Sequence, residues 1–417
     1  MNTPYGSIEE VVKNSRFKDV LCFDKHQLLE GRIIQNYMDQ ILSDSAFKGV
    51  VGEIEAEIGI ATGRPRYKIP IDRKDKLKGL VKEAGGRLIW DSQTKLWTLT
   101  WLREDEVPEE LKGYFAGPVA YAFVWYRNIT PALTELLDRL TQAFTVYPIF
   151  YDAALFEFLI TEWAYAPGNF IEPSILLHEG LRKLTGREPR KFTVNDEVRT
   201  RQRQDAAYHG AIETEYGPEL FDKVVLPRIL MNFGIAAFFY PVDVDRIFYV
   251  VKGSGFDFWA FEVKHKYPET RKSGVEPFFG INNSELRALQ LLLTCSINVL
   301  HTILVKPVWN DKLSTMQLYM RNNMREAAWL IYRVIDREYI DRVLNRPMSI
   351  SGAKTTLTGG GTLQYKPLLV REFSEIGSFS AAQAKIASVI ASVMRNPAVE
   401  RPSVTIEKLE ALRQNHI

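Results

Sequence analysis

The sequence predicts an α/β chain of the multidomain α+β kind, built around a central helix–hairpin–helix–strand unit. Two observations carry that expectation. Apolar residues recur at helical spacing in some stretches and alternate in others, and Gly- or Pro-bearing turns separate the two patterns. Hydrophobic residues make up 46% of the 417 positions and aromatic ones 12%, enough for more than one core.

Residues 1–48 read as an N-terminal helical segment: Leu28, Ile33, Ile34, Tyr37, Ile41 and Leu42 fall at helical intervals. The period changes from residue 49. Through residue 115, strand-like runs (IEAEIGIA, RYKIPI, GRLIWD, KLWTLTW) surround one helical piece, DRKDKLKGLVKEAGG, which ends on a Gly pair as helices often do. This predicts a small α+β module. Residues 116–199 read as a helical connector, with PALTELLDRLTQAF and EPSILLHEGLRKLTG on either side of an aromatic-rich stretch. Residues 200–310 form the central unit: a helical run, the strand DVDRIFYVV, the turn KGSG, the strand FDFWAFEVKHK, the helix NNSELRALQLLLTC and the strand VLHTILVKP. Residues 311–417 read as a helical C-terminal extension.

Charge and cysteine content narrow the function classes. The 53 basic and 51 acidic side chains leave a formal charge of +2, so any nucleic-acid surface is a local cluster. Cys22 and Cys295 sit far apart in apolar runs, which predicts neither a disulfide framework nor a cysteine metal site, and a reducing cytoplasm is the default compartment. No signal sequence or membrane span is expected. The G-x-x-x-x-G-K-[ST], G-x-S-x-G and H-E-x-x-H signatures of ATPases, serine hydrolases and zincins do not occur.

The chemistry concentrates in FDFWAFEVKHK. Alternation puts Phe256, Phe258, Ala260, Glu262 and Lys264 on one face. A tight turn at KGSG sets Val251 opposite Phe256, which places Asp245 opposite Glu262 and Asp243 opposite Lys264. Opposed residues have Cβ atoms about 4.5–5.5 Å apart, so carboxylates and an ammonium converge. Adjacent carboxylates repel unless a cation lies between them, and hard oxygen donors suit Mg²⁺ or Mn²⁺. The lysine can orient an attacking water or stabilise charge developing on a phosphate. An E-x-K triplet is ordinarily a solvated cross-strand ion pair of little consequence. Here the apolar face and the acids in register at 243 and 245 favour a site.

Asp245, the Glu262-Val263-Lys264 triplet and the surrounding order of elements resemble the PD-(D/E)XK nuclease superfamily, the restriction-endonuclease-like proteins, over residues 200–310. The resemblance implies an αβββαβ core, Asp245 and Glu262 as metal ligands, Lys264 as the catalytic lysine, and a supplementary acid, Glu213 or Glu215, from the upstream helix. The Pro-Asp pair typical of the family is displaced, since Val242 separates Pro241 from Asp243, and Asp243 competes with Asp245 for the ligand role. Gln290 is read as a surface residue and His301 as a satisfied core or edge histidine.

Next to the triplet, His265, Lys266, Arg271 and Lys272 are candidates to neutralise phosphates. Residues 66–105 resemble the small HARP-like modules of DNA-remodelling enzymes through the turn Asp91-Ser92-Gln93-Thr94, followed by Lys95 and Trp97. That likeness implies a nucleic-acid grip. The expected function is a metal-dependent endonuclease on DNA, with RNA not excluded, acting in defence against foreign DNA, repair or mobile-element processing. Cutting both strands needs two sites or two events, which leaves room for a homodimer. The alternative is a non-catalytic DNA-binding or scaffold protein that keeps the nuclease fold.

Overall fold

A computed structural model describes residues 32–92, 95–100, 102, 106–164, 169–190, 214, 216–269, 276–310, 322–351, 363–399 and 401–414. The chain begins with α1 (Arg32–Leu42), a short α2 (Ser45–Lys48), β1 (Gly52–Ile54) and β2 (Ala56–Tyr67). The small module adds α3 (Lys74–Glu83), β3 (Arg87–Asp91), β4 (Leu96–Thr100) and α4 (Glu109–Lys112). Then come β5 (Phe115–Tyr126), α5 (Pro131–Leu140), β6 (Thr145–Asp152), β7 (Glu157–Ala164), β8 (Asn169–Leu176) and α6 (Leu177–Thr185). The expected helical connector is therefore largely sheet. Its aromatic stretch folds as the β6–β7 hairpin, and the Asp152 carboxylate accepts the amides of Ala154 and Leu155 at 2.9 and 3.1 Å to make the turn.

Residues 217–235 form a run of helical turns, one tight 3-10 turn followed by wide π-helical and α-helical ones. The central unit follows as β9 (Val242–Val244), β10 (Arg246–Lys252), β11 (Gly255–Lys266), β12 (Phe278–Asn282), α7 (Asn283–Thr294) and β13 (Ile297–Val305). The expected hairpin, helix and third strand are all present. Beyond them lie α8 (Asn322–Ala327), β14 (Trp329–Ile335), α9 (Arg337–Leu344), β15 (Ser349–Ser351), β16 (Leu363–Leu369), β17 (Ser374–Ser378), α10 (Gln383–Arg395) and α11 (Ile406–Ala411). The C-terminal extension, expected to be helical, contributes strands to two sheets.

A six-stranded sheet runs β1-β10-β11-β13-β14-β17, with β11 and β13 parallel and joined across α7. An eight-stranded sheet runs β3-β4-β2-β5-β6-β7-β8, with β9 added to β2, and β12-β16-β15 form a third. Val251 pairs with Phe256 as the turn predicts. Gly253, at φ 62°, supplies the left-handed residue that a two-residue hairpin turn requires. β1 joins the hairpin from more than 190 residues upstream because Gly52 has no side chain: a Cβ there would lie 2.2 Å from the Tyr249 ring.

The two larger sheets share a ribbon. One residue, Glu55, separates β1 from β2, and one residue, Asp245, separates β9 from β10, so an antiparallel pair passes from one sheet into the other. A single core fills the space between them: Ile58, Ala122 and Val124 pack with Leu136, Phe258, Ala260, Leu286 and Val299. The opposite face of β11, carrying Trp259, Phe261 and Val263, packs against α1 and α10. β11 is thus covered on both faces, which explains its nearly unbroken apolar run. Among the described residues no helix is long and apolar enough to cross a membrane.

Candidate active site

The β10 ladder ends at the Arg246–Phe261 pair, so Glu262 to Lys266 continue with β13 as their ladder partner. Asp245, at the crossing between sheets, takes over where β10 stops. Its Oδ2 accepts the Val263 amide at 2.8 Å, and its Oδ1 accepts Gln35 Nε2 at 3.3 Å. Arg246 fixes this corner: Nη1 donates to the Asp245 carbonyl at 2.9 Å, while Nη2 reaches both carboxylate oxygens of Asp39, at 3.0 and 2.8 Å. Gln35 and Asp39 lie one turn apart on α1, so one helical face supports the corner twice.

Glu262 projects from the central strand into the core beneath α7 and is 0% exposed. Lys264, two residues on and on the same face, donates to Glu262 Oε2 at 2.9 Å. The first turn of α7 delivers a further acid, Glu285, whose Oε1 lies 3.3 Å from the same ammonium. Burial pushes the Glu262 carboxyl well above its ordinary range, with Asp245 and Glu285 adding to the rise and Lys264 opposing it. Burial would lower Lys264, but Glu262, Glu285 and Asp245 prevail and raise it, so it stays an ammonium at neutral pH. Glu285 is lowered: burial acts against this, and Lys264, Lys266 and His301 outweigh it. The Lys264 side chain is 25% exposed, which makes it the edge of the cluster that solvent reaches.

The predicted residues divide. Asp245, Glu262 and Lys264 come together. Asp243 does not join them: β9 carries it into the other sheet, where it pairs with Gly59 and is exposed, so the expected pairing with Lys264 is not formed. His265 lies on the opposite face of β11 from Lys264, and burial, then the Lys306 charge, push it well below its usual range. Lys266 turns inward and donates to the Gly280 carbonyl, with burial lowering its pKa, so neither residue is the surface phosphate contact that was expected. Glu213, Glu215, Arg271 and Lys272 fall outside the described residues. Gln290 bonds Asp341 at 3.1 Å, away from the cluster. In the small module, Lys95 is exposed, and Trp97 packs 5.3 Å from a 47% exposed Trp90 with the Lys78 ammonium 6.0 Å from its ring.

Sequence reading missed Glu285, Gln35 and the state of His301. His301 pairs with Glu262 across β11 and β13 and is 1% exposed, yet neither ring nitrogen has a hydrogen-bond partner among the described residues. Burial pushes it down to about 3, against Glu285, so it is neutral and not the satisfied core histidine that was expected. The available signals were the Gln35–Asp39 spacing and an acid opening the helix after the triplet.

The nuclease resemblance implies a divalent cation, and the donors suit one. Glu262 Oε1 is a buried oxygen without a hydrogen-bond donor, Glu285 Oε1 meets the Lys264 ammonium alone, and every candidate ligand is a hard carboxylate. Among the described residues no group of three or more His, Cys, Asp or Glu could hold a metal. Mg²⁺ is commonly held by one or two carboxylates and otherwise by water and phosphate oxygens. Compared with known proteins, the chain matches no family model, no curated protein and no solved structure.

Proposed function

We propose that the protein is a divalent-metal-dependent endonuclease that hydrolyses DNA phosphodiester bonds, on a restriction-endonuclease-like core made of β1, the β10–β11 hairpin, α7 and β13. The observation that carries this reading is the Lys264 ammonium held between Glu262 and Glu285, with Asp245 bound to the intervening Val263 amide. Mg²⁺ or Mn²⁺, when bound, would polarise the scissile phosphate and acidify water. Asp245 and Glu262 would hold it. Lys264, at the exposed edge, stabilises negative charge building on the phosphate, and Glu285 keeps the ammonium in place when Glu262 is otherwise engaged. Trp90, Trp97 and Lys95 would stack on and neutralise the bound strand.

The competing reading, a non-catalytic DNA-binding or scaffold protein, draws on the complete burial of Glu262 and on its existing pairing with Lys264. Nicking of plasmid DNA separates the two. Mg²⁺-dependent cleavage that vanishes in Glu262→Ala and Lys264→Ala, with DNA binding kept, supports the enzyme. Binding without cleavage under Mg²⁺ or Mn²⁺ supports the scaffold. Duplex, single-stranded and branched DNA, together with RNA, would define the substrate.

A further inference from the structure

At the end of the six-stranded sheet away from Lys264, an open cleft of about 840 Å³ lies between the start of β13, the end of β14 and the loop after α10. Among the described residues, three arginines line it, Arg333, Arg337 and Arg401, against one acid, Asp336. That acid is already used, since its carboxylate caps α9 by accepting the Tyr339 amide at 2.7 Å. Each arginine is held by a neutral oxygen: Arg333 by the Glu372 carbonyl at 3.2 Å, Arg337 by the Leu293 carbonyl at 3.2 Å, and Arg401 by Ser392 Oγ at 3.3 Å. Some arginines elsewhere meet carboxylates, as Arg246 meets Asp39 and Arg139 meets Glu135, whereas Arg187 and Arg190 also bond carbonyls. Among the described residues none of these three forms an ion pair, and the Nε atoms of Arg333 and Arg401 are buried without a hydrogen-bond acceptor.

Three like charges anchored in one cleft repel one another unless an anion sits between them, and guanidinium forks match phosphate oxygens. The remaining wall is apolar, formed by Pro397, Ala398 and a 40% exposed Val399. Asn298, at the cleft mouth, pairs with Trp259, three residues before Glu262 on β11. That separation is about 10 Å along the strand, with Trp259 and Glu262 on opposite faces of the sheet.

We propose that this cleft binds a nucleotide unit, with its phosphate on Arg333, Arg337 and Arg401 and its sugar or base against Pro397–Val399. In assigning that unit to the DNA strand being cut, the inference rests on the nuclease reading. A free nucleotide has the same chemistry and is the other source of the phosphate.

Fluorescence anisotropy with a labelled oligonucleotide across a salt series tests it, using the double variant Arg337→Ala, Arg401→Ala and its Lys,Lys counterpart. The expected result is at least a tenfold loss of affinity in the Ala pair, a log–log salt slope shallower by about two, and a slope retained in the Lys pair. Displacement of the oligonucleotide by a nucleoside monophosphate, in wild type but not in the Ala pair, would assign the cleft to free nucleotide as well. Unchanged affinity and slope in a folded Ala pair would overturn the cleft and leave the nuclease reading standing. If the Ala pair loses binding while the wild type cleaves nothing, the cleft stands and the nuclease reading falls.

Discussion

Glu262 and Lys264 are bound to each other by cost as well as by geometry. A carboxylate at 0% exposure is tolerable only while its counter-charge stays beside it. Replacing Lys264 by Met should therefore destabilise the protein by about 3 kcal/mol in urea denaturation, and adding Glu262→Gln should restore most of that. Additive losses would mean that the pair is not coupled. Mg²⁺ or Mn²⁺ should raise the melting temperature of the wild type and leave Glu262→Gln unmoved, because only the former offers the ligand. That Asp245 lies beside the Glu262–Lys264 stretch was legible because strand alternation and one turn set the register as far as Arg246–Phe261, although Asp245 stands just outside the ladder and reaches Val263 through its side chain. Glu285 was not: its contact depends on how α7 lies across the sheet, and an acid opening a helix has an ordinary role there. Asp243 misled because nothing in a strand pattern shows the chain leaving one sheet for another after a single residue.

At the scale of elements, the β10–β11 hairpin was readable from its turn to the Arg246–Phe261 pair and the β6–β7 hairpin was not. KGSG is a strong turn between alternating strands, whereas Tyr151-Asp152-Ala153-Ala154-Leu155 carries no Gly or Pro and looks helical, although the Asp152 side chain makes the turn. The β3–β4 hairpin presents Trp90 at the surface beside Trp97, so Trp90→Ala should weaken single-strand binding by about 1–3 kcal/mol with little change in melting temperature. A large loss of stability with unaltered binding would make the ring structural. The corner joining α9, β16 and β17 depends on Glu372. Burial would raise this carboxyl, but hydrogen bonds from Arg346, the Leu369 amide and the Tyr339 hydroxyl lower it below its ordinary 4.5. The unfolded chain then binds the proton more readily than the native state does, so this contribution is complete above pH 4.5 and is lost as pH falls through the native value. Stability of Glu372→Gln, measured by denaturation across that window, should fall less steeply on acidification than that of the wild type. Parallel slopes would remove Glu372 from the acid response.

The whole molecule is tied together by the ribbon β1–β2 with β9–β10 and by the core between the two larger sheets. The division into consecutive segments that the sequence suggests does not show this, because β1 and α1, more than 190 residues ahead of β10, complete the sheet and the corner of the site. Such pairings at long sequence separation leave no local pattern. Calorimetry should accordingly find the β10–β11 sheet and the eight-stranded sheet unfolding in one transition, and two well-separated transitions would contradict the shared core. The central claim is that Asp245, Glu262 and Lys264 form a phosphodiester-hydrolysing site. Its most direct test is the rate of supercoiled plasmid nicking by wild type and Lys264→Ala, each checked for folding and DNA binding, with Mg²⁺ and with a chelator. The account predicts Mg²⁺-dependent nicking by the wild type and a loss of about 100-fold or more in the variant. Nicking undiminished in Lys264→Ala, or a folded, DNA-binding wild type that cuts no DNA with Mg²⁺ or Mn²⁺, would contradict it.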